Sequence, residues 1–338
     1  MNYSKTVFRG RENKSAFIFI HGLGMDKQIW VNPLESRILA GAFPVTALVS
    51  RKPQPRDLGI SEYKPKGSFP RFSIGEHPDD LRTLFHDLWE KGYTVVAWSQ
   101  REPGAPMESA VNELKTIVEE TRTYTKAGII LVGHSRGGLV GRKYLMGKDR
   151  SIRGLVTIST PHKGSSLARV SKYLLPLTKI LSPFFSEKEK GKVSFVIKKM
   201  SEFLRSQALK ELLPGSAYIR SFDDEPCAWV SYVTIGGTNP SLFSLYRWKW
   251  KTVRENVHLK WFLKPEELFS FPGIFEKVLP FKFYPEEIQE GKGDGLVSLE
   301  SSQLPWRAEH YVFHLNHTEI LFDKDARATL IDAIEKMT

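Results

Sequence analysis

Four short runs of the chain are apolar at nearly every position: AFIFI at 16–20, YTVVAWS at 93–99, GIILVG at 128–133 and IRGLVTIST at 152–160. None alternates between apolar and polar, as a strand with one wet face would. A strand that is apolar on both sides must be covered on both sides. That is the condition of a parallel sheet held between layers of helix. The intervening segments fit. HPDDLRTLFHDLWEKG (77–92) puts Leu81, Leu84, Phe85, Leu88 and Trp89 on one helical face, with Pro78 and two acids for its first turn and Gly92 for its end. MESAVNELKTIVEETRTY (107–124), GGLVGRKYLMG (137–147) and DARATLIDAIEKM (325–337) read as further helices, and VTALVS (45–50), AWVSYVTIGG (228–237) and HYVFHL (310–315) as further strands. With 41% hydrophobic residues in 338, the chain has enough apolar surface for one large core. The expectation is a single α/β domain over 1–338 with a mostly parallel sheet.

Two stretches break the rhythm. Roughly 65 residues separate the strand at 152–160 from that at 228–237, and roughly 75 separate the latter from HYVFHL, where a crossover needs about a dozen. The segments 165–227 and 238–290 are therefore expected to be insertions that form a helical cap or lid. VSFVIKKMSEFLRSQALKELL (193–213) is amphipathic at helical spacing, a pattern that fits a lid and a packed helix equally. LYRWKWKTVRENVHLKWF (245–262) clusters Trp248, Trp250 and Trp261 with Arg247, Lys249, Lys251, Arg254 and Lys260. It reads as a solvated strand or hairpin, with contact to an anionic interface as the sharper alternative.

The run GIILVG continues into His-Ser-Arg-Gly-Gly and then a helix. Strand, G-x-S-x-G and helix in that order are the context of a strained turn that exposes one hydroxyl. Gly133, Gly137 and Gly138 let strand and helix approach, and Ser135 stands at a helix N-terminus. A serine hydroxyl needs a base, and the base an orienting acid. In this arrangement they follow in the order serine, acid, histidine. Among nine histidines, His317 in LNHTEIL lies just after the last strand, at the carboxyl end of the sheet. Asp294 in GKGDGLVS precedes it, flanked by glycines. Asp223 and Asp224 sit before a strand and so at the wrong end; Glu300 and Glu319 are less well placed. For an oxyanion, one backbone N–H comes from Arg136, after the nucleophile, and Leu23 in FIHGLG is the best second donor. His21 is expected to fix that loop by hydrogen bonding.

Together FIHGLG, LVGHSRGGLVGRKY, ISTPHKGSS, GDGLVSLESS and NHTEIL resemble the α/β-hydrolase lipases and esterases, most of all the bacterial lipase branch, over roughly residues 15–170 and 228–335. The resemblance implies the α/β-hydrolase fold, Ser135 as nucleophile, Asp294 as acid, His317 as base, Leu23 and Arg136 as oxyanion donors, and a carboxylic ester or acyl lipid as substrate. Acyltransferase and amidase chemistry use the same triad, and a non-catalytic binding protein can share the scaffold. The residues 171–227 and 238–290 match no motif.

The net charge of +11 and pI near 9.5 come without an arginine-rich arm or zinc-finger spacing, so nucleic acid is not an expected partner. Transient contact with a membrane or lipid interface is. Cys227 is alone, which excludes an internal disulfide and a thiolate cluster. The N-terminal segment lacks a signal-peptide core, and the reading is cytoplasmic. No cofactor is called for. Some relatives of this kind hold structural Zn²⁺ or Ca²⁺, but His77, Asp79, His86 and Asp57 match no ligand spacing closely, and Asp79 and His86 would lie about 10 Å apart on one helix. No metal is expected.

Overall fold

The doubly apolar runs become the centre of a seven-stranded sheet. In this computed structural model, which describes residues 4–38, 43–67, 71–102, 104–166, 206–223, 225–255, 258–273 and 284–338, the chain enters on β1 (Lys5–Phe8) and β2 (Ala16–Ile20). Two short strands, β3 (Arg37–Ile38) and β4 (Phe43–Pro44), form a separate ribbon. β5 (Arg56–Ile60) and β6 (Phe72–Ser73) belong to a second sheet described below. The main sheet continues with β7 (Thr94–Trp98), β8 (Ile129–His134), β9 (Ile152–Ile158), β10 (Ser231–Gly237) and, after the second sheet, β13 (Glu309–Phe313). Its order is β1-β7-β2-β8-β9-β10-β13, and β1 alone runs antiparallel to its neighbour.

Every residue of β2, β7 and β8 is buried, for the reason the sequence suggested: both faces are covered. On one face Phe17, Phe19, Val95, Val132 and Ile158 pack against Phe85 and Leu88 of α2 (Leu84–Glu90) and against Leu330 and Ile334 of α7 (Lys324–Glu335). On the other, Ile18, Ile20, Val96, Leu131 and Leu155 pack against Leu114 and Ile117 of α3 (Met107–Thr121) and Leu139 and Val140 of α4 (Arg136–Leu145). A short α1 (Gln28–Val31) brings Trp30 under the sheet.

Three elements depart from the sequence reading. VTALVS forms a buried 3-10 turn at Val45–Val49, not a strand. Periodicity cannot distinguish the two in so short an apolar run, and the Ser50 hydroxyl closes the turn by donating to the Thr46 carbonyl (2.7 Å). The helix expected over 77–92 begins only at Leu84. Thr83 starts it: its N–H donates to His86 Nδ1 (3.2 Å) and its hydroxyl to the Trp30 carbonyl (2.6 Å). Pro78 and the two acids are left in the preceding loop.

The third departure is the largest. The insertion 238–290 is mostly strand in its described part, with one 3-10 turn at Glu286–Ile288. β11 (Phe243–Glu255) and β12 (His258–Phe271) form a long antiparallel hairpin, flanked in the order β5-β12-β11-β6. Tryptophan and lysine alternate along Trp248-Lys249-Trp250-Lys251, a period of two that suits a strand with two different faces. The hairpin is rooted through Leu242, Phe271, Ile288 and Leu48. Of the first insertion, α5 (Gln207–Glu211) and α6 (Ala217–Arg220) are short helices; most of the amphipathic run at 193–213 lies outside the described residues. Among the described residues no helix is long and apolar enough to cross a membrane.

Thr83 ties α2 to the Trp30 loop, and both partners are buried. Thr83→Val keeps the shape and removes the hydroxyl. Urea unfolding is expected to show a loss of about 1–2 kcal/mol with an unchanged m-value. An unmoved midpoint would refute this view of how α2 is anchored.

Candidate active site

At the end of β8 the chain reverses within one residue. Ser135 has φ 54° and ψ −126°, between the last strand residue, His134, and the first helical one, Arg136. Its N–H donates to the Ile158 carbonyl (2.8 Å) and its carbonyl accepts from Gly138 N–H (3.1 Å), so the turn is held from both sides. The three glycines are there for space. A Cβ on Gly133 would stand 2.4 Å from the Gly138 nitrogen, one on Gly137 2.3 Å from the Ile20 oxygen, and one on Gly138 2.1 Å from Thr160 Oγ1. Two of these collisions are with backbone, which cannot yield cheaply.

Asp294 and His317, 23 positions apart in sequence, meet with Oδ2 and Nδ1 at 2.9 Å, each side chain 2% exposed. The other carboxylate oxygen, Oδ1, accepts the N–H groups of Leu296 (3.0 Å) and Val297 (2.8 Å). The backbones join as well, His317 N–H donating to the Asp294 carbonyl (2.9 Å). With Nδ1–H given to the carboxylate, Nε2 is the basic nitrogen. His134 brings this loop to the elbow. Its Nε2 donates to the His317 carbonyl (2.9 Å), and the two rings lie 4.7 Å apart between centroids. Ser135 is the next residue in the chain.

Gly22 closes the other side. A Cβ placed there would come within 3.2 Å of both Ser135 Cβ and His134 Nδ1, so the chain at Gly22 runs directly beside Ser135. His21 sets that loop as expected: Nδ1–H donates to the Gly22 carbonyl (2.9 Å) and Nε2 accepts from Gln100 N–H (3.0 Å). Burial pushes the His21 imidazole down to about 4, against the raising effect of its bond to Gly22 and with help from the Arg136 cation.

Several supports had no place in the sequence reading. The Arg136 guanidinium is buried, donating to Gln100 Oε1 (3.0 Å) and to the Ala105 carbonyl (2.7 Å). Burial lowers it to about 10, and Glu211 works the other way. Gln100 thus links the two loops beside Ser135 through one residue. Asn316 spends its whole amide on the histidine loop. Nδ2 donates to the Leu48 (3.0 Å) and Ser241 (2.9 Å) carbonyls, and Oδ1 accepts from Thr318 and Glu319 N–H, both at 2.9 Å. Glu319 returns the bond to Asn316 N–H (3.2 Å), and burial raises its carboxyl. Asn-x-x-Glu is a capping box written in the sequence at 316–319 and was the signal to look for.

The remaining candidates are engaged elsewhere. Glu300 pairs with Lys163 at the surface (2.7 Å), and the Asp223 carbonyl accepts from Arg142 (2.8 Å); Asp224 lies outside the described residues. His86 bonds to Thr83 and the Val31 carbonyl, His77 to the Pro78 carbonyl, and Asp57 to Lys260. Asp79 is exposed. Among the described residues no group of three or more His, Cys, Asp and Glu side chains is arranged to hold a metal.

His21, His134 and His162 are buried imidazoles that burial drives below their ordinary 6.5. In the unfolded chain each takes up its proton near 6.5, so between that value and the folded one the unfolded state binds more protons. Stability is then complete above about pH 6.5 and is lost as the pH falls toward 4. For His21 alone the loss is roughly 3 kcal/mol. Melting curves between about pH 8 and about pH 4.5 are expected to show Tm dropping below pH 6.5, with a shallower drop in His21→Gln. A Tm flat across that range contradicts the assignment of neutral buried imidazoles.

Residues 105–208, the segment that includes the elbow, match the family model of the PGAP1-like alpha/beta domain. No curated protein matches the sequence. Among solved structures, the mature form of the Bacillus licheniformis lipase BlEst2 is similar over 98% of this chain and 98% of its own, at 16% identity and a TM-score of 0.52. The propeptide form of the same lipase is similar over 98% of this chain and 53% of its own, at 16% identity and a TM-score of 0.53. The likeness is one of architecture: the chain has the α/β-hydrolase fold, that of the lipase and esterase superfamily it resembles.

Proposed function

We propose that the protein is a serine hydrolase that cleaves carboxylic esters by way of an acyl-enzyme. The observation that carries the reading is the buried Asp294–His317 pair (2.9 Å), fastened through His134 to the strained turn that presents Ser135. His317 Nε2 takes the Ser135 proton as Oγ attacks the ester carbonyl. Asp294, with both oxygens already in hydrogen bonds, fixes the tautomer and stabilises the imidazolium. The N–H groups of Leu23 and Arg136 receive the oxyanion, each worth about 3–4 kcal/mol at the transition state. His317 then protonates the departing alkoxide, and water repeats the attack on the acyl-enzyme.

The substrate class is the apolar ester of an acyl chain, a choice supported by the resemblance to lipases and by the lipase name of the structural neighbour. p-Nitrophenyl esters from acetate to palmitate are the test. Ser135→Ala is expected to abolish the burst and the turnover, and Asp294→Asn to cut kcat by about 10⁴ with little change in KM, because the amide holds the wrong tautomer. Turnover that survives Ser135→Ala removes the serine from its role. A wild-type protein that hydrolyses matched amides faster than esters moves the reaction to amidase chemistry, and products that retain an added alcohol move it to acyl transfer.

A further inference from the structure

The second sheet turns its tryptophans away from water. Residues directly opposite each other in an antiparallel ladder share a face. Trp248, Trp250 and Trp261 therefore lie with Pro265 and Leu263 on one side, and Arg247, Lys249, Lys251 and Val253 lie with Glu266, Lys264, Phe262 and Lys260 on the other. The tryptophan side is covered. Trp248 is 7% exposed and donates through Nε1 to Ser73 Oγ (2.9 Å), while Trp261 Nε1 donates to the Ser61 carbonyl (3.0 Å). The Lys64 ammonium sits 4.3 Å above the Trp250 ring.

The opposite side is open and built in rows. Ile60 (57% exposed) and Val253 (53% exposed) flank Lys260. Next come Lys251, Phe262 and Asp57; then Lys249 facing Lys264; then Arg247 facing Glu266. Like charges directly opposite destabilise a ladder. Glu266 relieves Lys249 (2.6 Å) and Asp57 relieves Lys260 (3.2 Å). Lys251 and Lys264 have no ion pair among the described residues. The rows from Ile60 to Arg247 carry five cations against two carboxylates, with the exposed aliphatic side chains of Ile60 and Val253 at one end.

We propose that this face docks onto an anionic lipid surface. Its cations would meet the headgroups, while Ile60 and Val253 enter the acyl boundary. Single-stranded nucleic acid is the poorer match, since a strand-binding face offers exposed rings for bases to stack on, and here the tryptophans point the other way. The hairpin rises beside the triad: a Cβ on Gly295, next to Asp294, would collide with Pro240 and Leu242 at the root of β11, where Leu242 N–H donates to the Phe271 carbonyl (2.9 Å). The inference deepens the ester-hydrolase reading by naming where an acyl substrate is met, and it rests on that reading for its purpose alone.

Sedimentation of the Ser135→Ala protein with lipid vesicles separates docking from turnover. Binding is expected to vesicles that contain phosphatidylglycerol, to weaken with salt, and to be slight on pure phosphatidylcholine. Each lysine lost is expected to weaken partition about five-fold, so a Lys249→Gln, Lys251→Gln, Lys264→Gln triple variant should fall about 100-fold. Val253→Asp should fall several-fold. The triple variant removes the Lys249–Lys264 repulsion and gives up only the surface pair to Glu266, which Arg247 still faces (3.8 Å), so its Tm should stay near the parent's, which rules out misfolding as the cause. Equal binding to both vesicle types, a triple variant that sediments like its parent, or tighter binding to a single-stranded oligonucleotide at the same salt overturns the proposal. Vesicle binding without esterase activity in the wild type leaves the docking intact and removes the ester reading; the reverse result does the opposite.

Discussion

A residue with a side chain held at φ 54° costs roughly 1–3 kcal/mol in backbone strain, and the surroundings of Ser135 must supply that from elsewhere. They do so by close packing. β8 and α4 can meet at such a sharp angle only if nothing projects between them, which is why glycine occupies three positions around one serine. Two hydrogen bonds, to Ile158 and from Gly138, hold the peptide groups on either side of it. The loop after β2 then needs a glycine as well, Gly22, because it passes against Ser135 Cβ. The strain at one residue thus dictates the sequence of two strands, one helix and two loops.

The electrostatics around the elbow follow from burial. Three imidazoles near the sheet's carboxyl end are kept neutral by desolvation, and each then has one donor and one acceptor nitrogen. His21 uses both in the loop after β2, and His134 uses its donor to hold the loop of His317. Arg136, by contrast, stays a cation because its five donors are fixed in a fork that carbonyl and amide oxygens can satisfy. Neutral imidazoles and a buried cation thus both act as hydrogen-bonding braces of the loops around the elbow.

Legibility in the sequence tracked how local the determining physics was. The central strands could be read because burial on both faces writes an unbroken apolar run, and Ser135 because a strained turn writes glycines at fixed offsets. Asp294 could be singled out from its order and its flanking glycines and His317 from its place after the last strand, and the structure brings them together. VTALVS does not reveal its structure because four apolar residues and a threonine fit a strand and a 3-10 turn alike, and a single Ser50 hydroxyl bond closes the turn. The hairpin at Phe243–Phe271 was written as part of a helical cap although its alternation of tryptophan and lysine has a period of two. Which alternate face would be covered depended on the 61–73 segment, nearly two hundred residues away. Gln100 and the Arg136 side chain left no signal at all, since a buried bond between two distant loops has no local pattern.

The link between His134 and His317 spans 183 positions of sequence. A ribosome adding about 5–20 residues each second needs roughly ten to forty seconds to make that span. Through that interval a nascent chain holds the elbow sequence without the loop that braces it, and the main sheet without β13. The last strand of that sheet to be made is also the one that leads into the His317 loop. The same topology leaves the β10 edge of the sheet unpaired until β13 is made.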